Sequence, residues 1–209
     1  MVKSLIEDCW RPYNLAEIYN IFEQAPFFWA IGGGYAIEIF TGEAFREHED
    51  VDLLVWRDEL PLVRSFLKNW DVYASDPPGT LRYWSDSENL GANVHDIWIR
   101  NINEQEWRFQ LMVMDREQDL WLFRRDPELK RAIDEVIYYD KQNVPYLSPV
   151  YQLLFKAKNR RNKDEVDFTY CLPCLSAQEQ QNLALLLKKV YSQNHPWLQR
   201  LENKMIAVE

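Results

Sequence analysis

"IGGGYAIEIFTGEAFREHEDVDLLVW", residues 31–56, decides how this chain is read. The whole chain has only six glycines in 209 residues, and three of them stand together at Gly32, Gly33 and Gly34. A Val- and Leu-rich run follows that opens with two carboxylates, Asp50 and Asp52. Side chains two apart share a strand face, so these two acids point the same way while Val51 and Leu53 point into the core. Burying two carboxylates side by side is costly unless something positive sits between them.

Working outward, residues 13–24 place Leu15, Ile18 and Phe22 on one helical face and end before Pro26. "FFWAI" (27–31) reads as a short buried strand, the glycines as a turn, and "YAIEIF" as a helix closed by Gly42. "DVDLLVW" is a strand, and residues 58–68 form a helix with Leu60, Val63 and Leu67 on one side. From about 71 to 140 the pattern turns to strands: "DVYAS", "LRYW", "NVHDIWIR", "EWRFQLMVM", "LWLF" and "EVIYY". "VPYLSP" then breaks the chain. From 149 onward the pattern is helical, with Val150, Leu153, Leu154 and Ala157 on one face, "NLALLLKKVY" on another, and a last short helix opened by Pro196 and Trp197. The expected division is an α/β part over 1–145 and a helical part over 146–209.

Composition excludes several classes. Hydrophobic residues make up 47% and aromatics 14%, enough for a proper core. No apolar run approaches the roughly 20 residues that span a bilayer. The N-terminal decapeptide is acidic and lacks the apolar stretch of a secretory leader, so a cytoplasmic protein with no membrane partner is expected. The net charge of −9 argues against a phosphate-backbone surface for nucleic acid and suits a cationic small molecule. Three cysteines, Cys9, Cys171 and Cys174, do not make a disulfide framework. "CLPC" lacks the second ligand pair of a zinc site, and its cysteines read as two buried apolar positions.

The chemistry concentrates in the opening stretch. Two convergent carboxylates with open water positions suit Mg²⁺, which takes one or two carboxylates and lets substrate phosphates complete its shell. Backbone without side chains approaches phosphates closely, and amides at a helix start attract anions. A triple-glycine turn or an Asp-x-Asp pair alone is often structural. Strand, glycine turn, short helix and acidic strand within one such stretch is far more specific.

"WAIGGGYAIEIFTGEAFREHEDVDLLVWR" resembles the core motif of the nucleotidyltransferase superfamily, and more closely that of the aminoglycoside nucleotidyltransferases, W-I-G-G-G-W-A-I-D followed by R-x-H-x-D-x-D. "VPYLSPVYQLLFKAKNRRNKDEVDF" (144–168) resembles a second block of that group. The resemblance implies an α/β fold with a mixed sheet flanked by helices. It also implies two Mg²⁺ ions on Asp50 and Asp52, and transfer of a nucleoside monophosphate, AMP from ATP, to a hydroxyl of a small molecule such as an aminoglycoside. Gly32, Gly33 and Gly34 would hold the triphosphate. A third carboxylate, metal ligand or general base, is expected on a neighbouring strand. Asp96 is favoured as interrupting an apolar strand, over Asp115, read as ending one. Lys156 is the basic residue of the second block expected near the triphosphate. Arg46 either touches a phosphate or pairs with Glu43 or Glu47. His48 shares the alternation of Asp50 and Asp52 and reaches the site if the strand starts early; otherwise it stands behind the acids or in the loop, the favoured reading. Lys163, Asp164 and Asp167 read as structural ion pairs. Most of the nine tryptophans read as core, with Trp84 or Trp98 available to line a pocket. Other expectations keep the fold but change the role: a toxin-like transferase acting on tRNA or protein, or a non-catalytic nucleotide-binding module.

Overall fold

A computed structural model describes residues 10–206. Helix α1 (Leu15–Phe22) starts where Asn14 accepts from the Glu17 amide while the Glu17 carboxylate accepts from the Asn14 amide, a reciprocal cap. Strand β1 (Trp29–Ile31) leads through Gly32 into α2 (Gly33–Thr41), which Gly42 closes in the left-handed conformation, φ 75°. Strand β2 (Asp52–Trp56) runs into a 3₁₀ turn (Arg57–Glu59) and α3 (Leu60–Phe66). Then come β3 (Trp70–Ser75), β4 (Leu81–Tyr83), β5 (Asp96–Asn101), β6 (Phe109–Glu117), β7 (Leu120–Leu122) and β8 (Lys130–Ala132). The short helix α4 (Ile133–Val136) joins β8 to β9 (Ile137–Tyr139), and β10 (Pro145–Leu147) follows. Four helices end the chain: α5 (Pro149–Lys156), α6 (Asn162–Cys171), α7 (Ala177–Val190) and α8 (Pro196–Ile206).

The strands form one mixed sheet in the order β4-β3-β5-β6-β2-β1-β10-β9, with β7 branching from β6 and β8 beyond it. β2 lies parallel to β6 and antiparallel to β1, which pairs parallel with β10. The fold is therefore the expected α/β one. "VPYLSP" does more than break the chain, because Pro145–Leu147 carries the sheet onward to β9 and sets Tyr146 beside Ile31. β8 was not foreseen either: "KRA" shows no apolar alternation and is a strand only because β7 pairs with it.

Two packed layers fix the sheet. Phe22 of α1 and Phe66 of α3 meet Phe27 and, with Trp29 and Phe109, build an aromatic cluster with ring centroids 5.4–6.3 Å apart. Elsewhere α2 packs on β2, β10, α5 and α6. Val51, Leu53 and Val55 are fully buried, as the alternation requires. Burying side chains of this size is worth about 1.5–3 kcal/mol each, so the centre of β2 is firmly held beneath the acids at its start.

Candidate active site

Asp52 opens β2 and Gly33 opens α2, and the fold presses the two together. Gly33 has φ +64°, and a Cβ placed there would land inside the Asp52 carboxylate. At Gly34 a Cβ would collide with the Arg46 guanidinium and the His48 ring. The triple glycine thus answers a packing demand: two of its members give way to site side chains. Gly32 adds a backbone tie, its amide donating to the Asp52 carbonyl at 2.8 Å. No side chain caps α2, so its first amides face the acids with the positive end of the helix dipole.

Asp52 carries the electrostatic signature of the site. Burial, then Asp50, then Asp96 push its carboxyl up to about 7 from the ordinary 3.8, against the opposing pull of Lys156. Three acids therefore bear on one another here, short of positive charge. Asp96 reaches the cluster by register: it pairs with Met112 of β6, and Asp52 pairs with Gln110 of the same strand. Gln110 Nε2 donates to Asp96 Oδ1 at 3.1 Å and fixes that carboxylate. Gln110 was missed in the sequence, although a lone amide within "FQLMVM" is the signal.

The positional argument for Asp96 over Asp115 is reversed by the structure. Asp96 is the first residue of β5, whereas Asp115 lies inside β6. What separates them is partnership. Asp115 is taken by Arg57, Nε to Oδ1 2.5 Å, while Asp96 acts on Asp52.

Behind the acids lies a saturated ionic network. Arg46 pairs with neither Glu43 nor Glu47 through their carboxylates; it donates to both oxygens of Asp167, at 2.6 and 3.0 Å, and to the Glu47 carbonyl. Lys156 does not extend to solvent. It is buried and contacts Asp167 at 2.8 Å and Asp164 at 3.3 Å. Asp164 also accepts from Arg161, amide and side chain alike, at the start of α6. Burial alone would raise both carboxyls, but Arg161 and Lys156 hold Asp164 below its ordinary value, and Arg46 and Lys156 do the same for Asp167. Asp164 and Asp167 are thus structural ion partners, and Lys163 reaches Glu49 at 3.1 Å. His48 stands behind the acids with Nε2 2.8 Å from Glu38, and its ring lies 4.0 Å from that of Tyr35. Burial draws its imidazole below the ordinary value in spite of Glu38.

Trp84 is buried, its Nε1 donates to the Glu88 carbonyl, and it lines a pocket of about 140 Å³ with Arg57, Pro61 and Leu90, to which none of Asp50, Asp52 and Asp96 contributes. Trp98 is half-buried, two residues from Asp96 on the same face, edge-on to Trp10 at 5.0 Å. Of the "CLPC" cysteines, Cys171 is buried but Cys174 is exposed, because it falls beyond the last turn of α6; Cys9 lies outside the described residues.

Among the described residues no group of three or more His, Cys, Asp or Glu side chains is placed to hold a metal ion, so Asp50, Asp52 and Asp96 do not form a ready three-ligand site, and no helix is long and apolar enough to cross a membrane. An open pair of acids short of positive charge fits a divalent cation whose remaining positions go to water and substrate.

Comparison with known proteins agrees with this geometry. The model of the aminoglycoside-2″-adenylyltransferase family matches residues 14–171. Among solved structures, the lincomycin-bound lincosamide antibiotic adenylyltransferase LnuA is similar, with a TM-score of 0.55 and 16% identity over 80% of this chain and 100% of that one. ANT(2″)-Ia in complex with adenylyl-2″-tobramycin gives 0.54 and 13% over 83% and 95%. No curated protein matches the sequence significantly. The glycine turn pressed against the acid cluster, on a sheet shared with those structures, and a family match over most of the chain place the protein in the aminoglycoside-2″-adenylyltransferase family of the nucleotidyltransferase superfamily.

Proposed function

We propose that the protein is a Mg²⁺-dependent adenylyltransferase that moves AMP from ATP to a hydroxyl of a small cationic acceptor of the aminoglycoside kind. The observation that carries this reading is the Asp52 carboxyl, packed on Gly33 beside uncapped α2 and raised to about 7 by its surroundings and its acid neighbours. Asp50 and Asp52 would hold the metal, with Asp96 as third ligand or base. Bound there, Mg²⁺ would neutralise phosphate charge and polarise the transferred phosphoryl group.

The residues of the chain do the rest. Amides of Gly33 and Gly34 receive phosphate oxygens at the start of α2, where the helix dipole favours anions. Asp96, steadied by Gln110, takes the proton of the acceptor hydroxyl. The acceptor oxygen bonds to the α-phosphorus, the α–β bond breaks, and pyrophosphate leaves with that bond's electron pair. Arg46 and Lys156 are bound to Asp167 and act on the phosphates by their charge and by holding the loop before β2. Most of the rate enhancement on this scheme comes from positioning and preorganised charge. The net charge of −9 draws in a polyamine sugar and opposes RNA.

The test is a mass-spectrometric screen of the protein with Mg²⁺, each of ATP, GTP, CTP and UTP, and a panel of aminoglycosides and lincosamides. An acceptor gaining one nucleoside monophosphate supports the reading. Calorimetry showing no binding of any triphosphate with Mg²⁺ overturns it.

A further inference from the structure

Two adjacent arginines follow β7, and the fold treats them differently. Arg125 is spent: its Nη1 donates to the Phe155 carbonyl and the Tyr191 hydroxyl, both at 2.8 Å. Arg124 is half-buried, and among the described residues it has neither a hydrogen bond nor an ion pair. Its guanidinium carbon lies 5.6 Å from the centre of the Phe155 ring, and the narrow pocket it lines includes Met112, Met114 and Asp115. Asp96 and Asp115 lie within electrostatic reach of it, yet Asp115 is held by Arg57 and Asp96 by Gln110. On the far side of Phe155 a cleft of about 290 Å³ is lined by Arg125, Lys158 and Arg161. Leaving a guanidinium partly desolvated without an acceptor costs free energy, and the Phe155 ring offsets only part of it, since its N–H groups find no acceptor among the described residues.

We propose that Arg124 receives phosphate oxygens of the nucleotide, at the Asp96 side of the acid cluster. The inference rests on the adenylyltransferase reading and names a residue for it. Topology supports it: α2 departs from β1, on one side of β2, whereas Asp96 stands on β5, two strands away on the other side. The triphosphate is then held between backbone amides at one flank and a planar fork of N–H donors at the other. That fork matches phosphate bidentately in a way lysine does not.

The test is calorimetry of pyrophosphate and of a non-hydrolysable ATP analogue, each with Mg²⁺, on wild type, Arg124→Met, Arg124→Lys and Arg125→Met. Arg124→Met should lose at least about tenfold in affinity for both ligands, with a melting temperature equal to or above wild type, because it removes a partly desolvated cation without an acceptor and keeps an apolar side chain against Phe155. Arg124→Lys should fall between the two. Arg125→Met should do the reverse, melting lower through loss of its two acceptors. Wild-type affinity in a folded Arg124→Met overturns the assignment. So does a marked drop in its melting temperature, since Arg124 would then serve the fold. If wild type binds neither ligand, the adenylyltransferase reading falls with it; if wild type binds both and Arg124→Met binds equally, only Arg124 is misassigned.

Discussion

Two groups of aspartates lie on either side of Lys156, and they have opposite fates. Asp164 and Asp167, on α6, are buried and saturated by Arg46, Lys156 and Arg161, and both carboxyls sit below their ordinary value. Asp52, with Asp50 and Asp96 beside it, has no cation in contact and is pushed up to about 7. A fold that places three cations and a backbone amide around one pair of acids has the means to neutralise the other. Leaving the second group uncompensated costs stability and keeps its oxygens open for a ligand. Charge paired within the chain holds the loop, while charge left unpaired marks where chemistry enters.

Asp52→Asn cuts the contrast at its open end. Turnover should fall by at least about 10³-fold, roughly 4 kcal/mol of barrier, in a steady-state assay of AMP transfer. The protein should fold as well as wild type. Mg²⁺ should raise the melting temperature of wild type, more so with ATP present, and do little for the mutant; equal shifts in both would refute the metal assignment. Asp167→Ala cuts at the closed end. It strands Arg46 and Lys156, and removing one partner of a buried ion pair should cost about 3 kcal/mol of unfolding free energy by urea titration. A mutant within a few tenths of a kcal/mol of wild type would show that the network is not what holds the loop.

Smaller changes sharpen the comparison. Gly33→Ala adds a Cβ to a residue at φ +64° and drives it into the Asp52 carboxylate. A loss of about 2 kcal/mol in stability is expected from the backbone strain and the displaced acid, with Mg²⁺ response lost as well. Gly42→Ala, also at positive φ but with open space for a Cβ, should cost about 1 kcal/mol and keep the Mg²⁺ response. The least effect is on pH. The Asp52 carboxyl binds its proton more tightly folded than unfolded, so its contribution is fully present below about pH 4 and lost as pH rises through about 7. Because solvent reaches this residue, the metal-free protein should lose only about 1–2 kcal/mol across that window, and Asp52→Asn should flatten the loss.

Much of this was legible because it is local. Gly32–Gly34, the α2 helix, its Gly42 stop and the Asp50–Asp52 pair all fall within one stretch, where helix and strand periods and the dislike of φ > 0 for side chains act residue by residue. The distant partnerships were not. Arg46 finds Asp167 from 121 positions away, and nothing near Arg46 distinguishes that partner from Glu43 or Glu47. Asp96 and Asp115 were weighed by their place along a strand, whereas register with β6 and the neighbouring Arg57 decide between them. β8 and β10 carry weak patterns and are strands because the neighbouring edge requires one. Trp84 does line a pocket, but one apart from the acids, since the surroundings of a large ring depend on what folds over it.

The bond between Arg46 and Asp167 also sets an order of events during synthesis. The loop that presents the acids leaves the ribosome before its anchor on α6, which follows 121 positions later and after all the described strands. Until then Arg46 has no acceptor at that position, and the strand that closes the sheet beside β1 has itself only just appeared. A chain stopped short of α6 can carry both motif acids and every glycine before them, yet the loop that presents them lacks its tie to Asp167. On the adenylyltransferase reading, the loop that would face the nucleotide is therefore tied down well after it has itself been made.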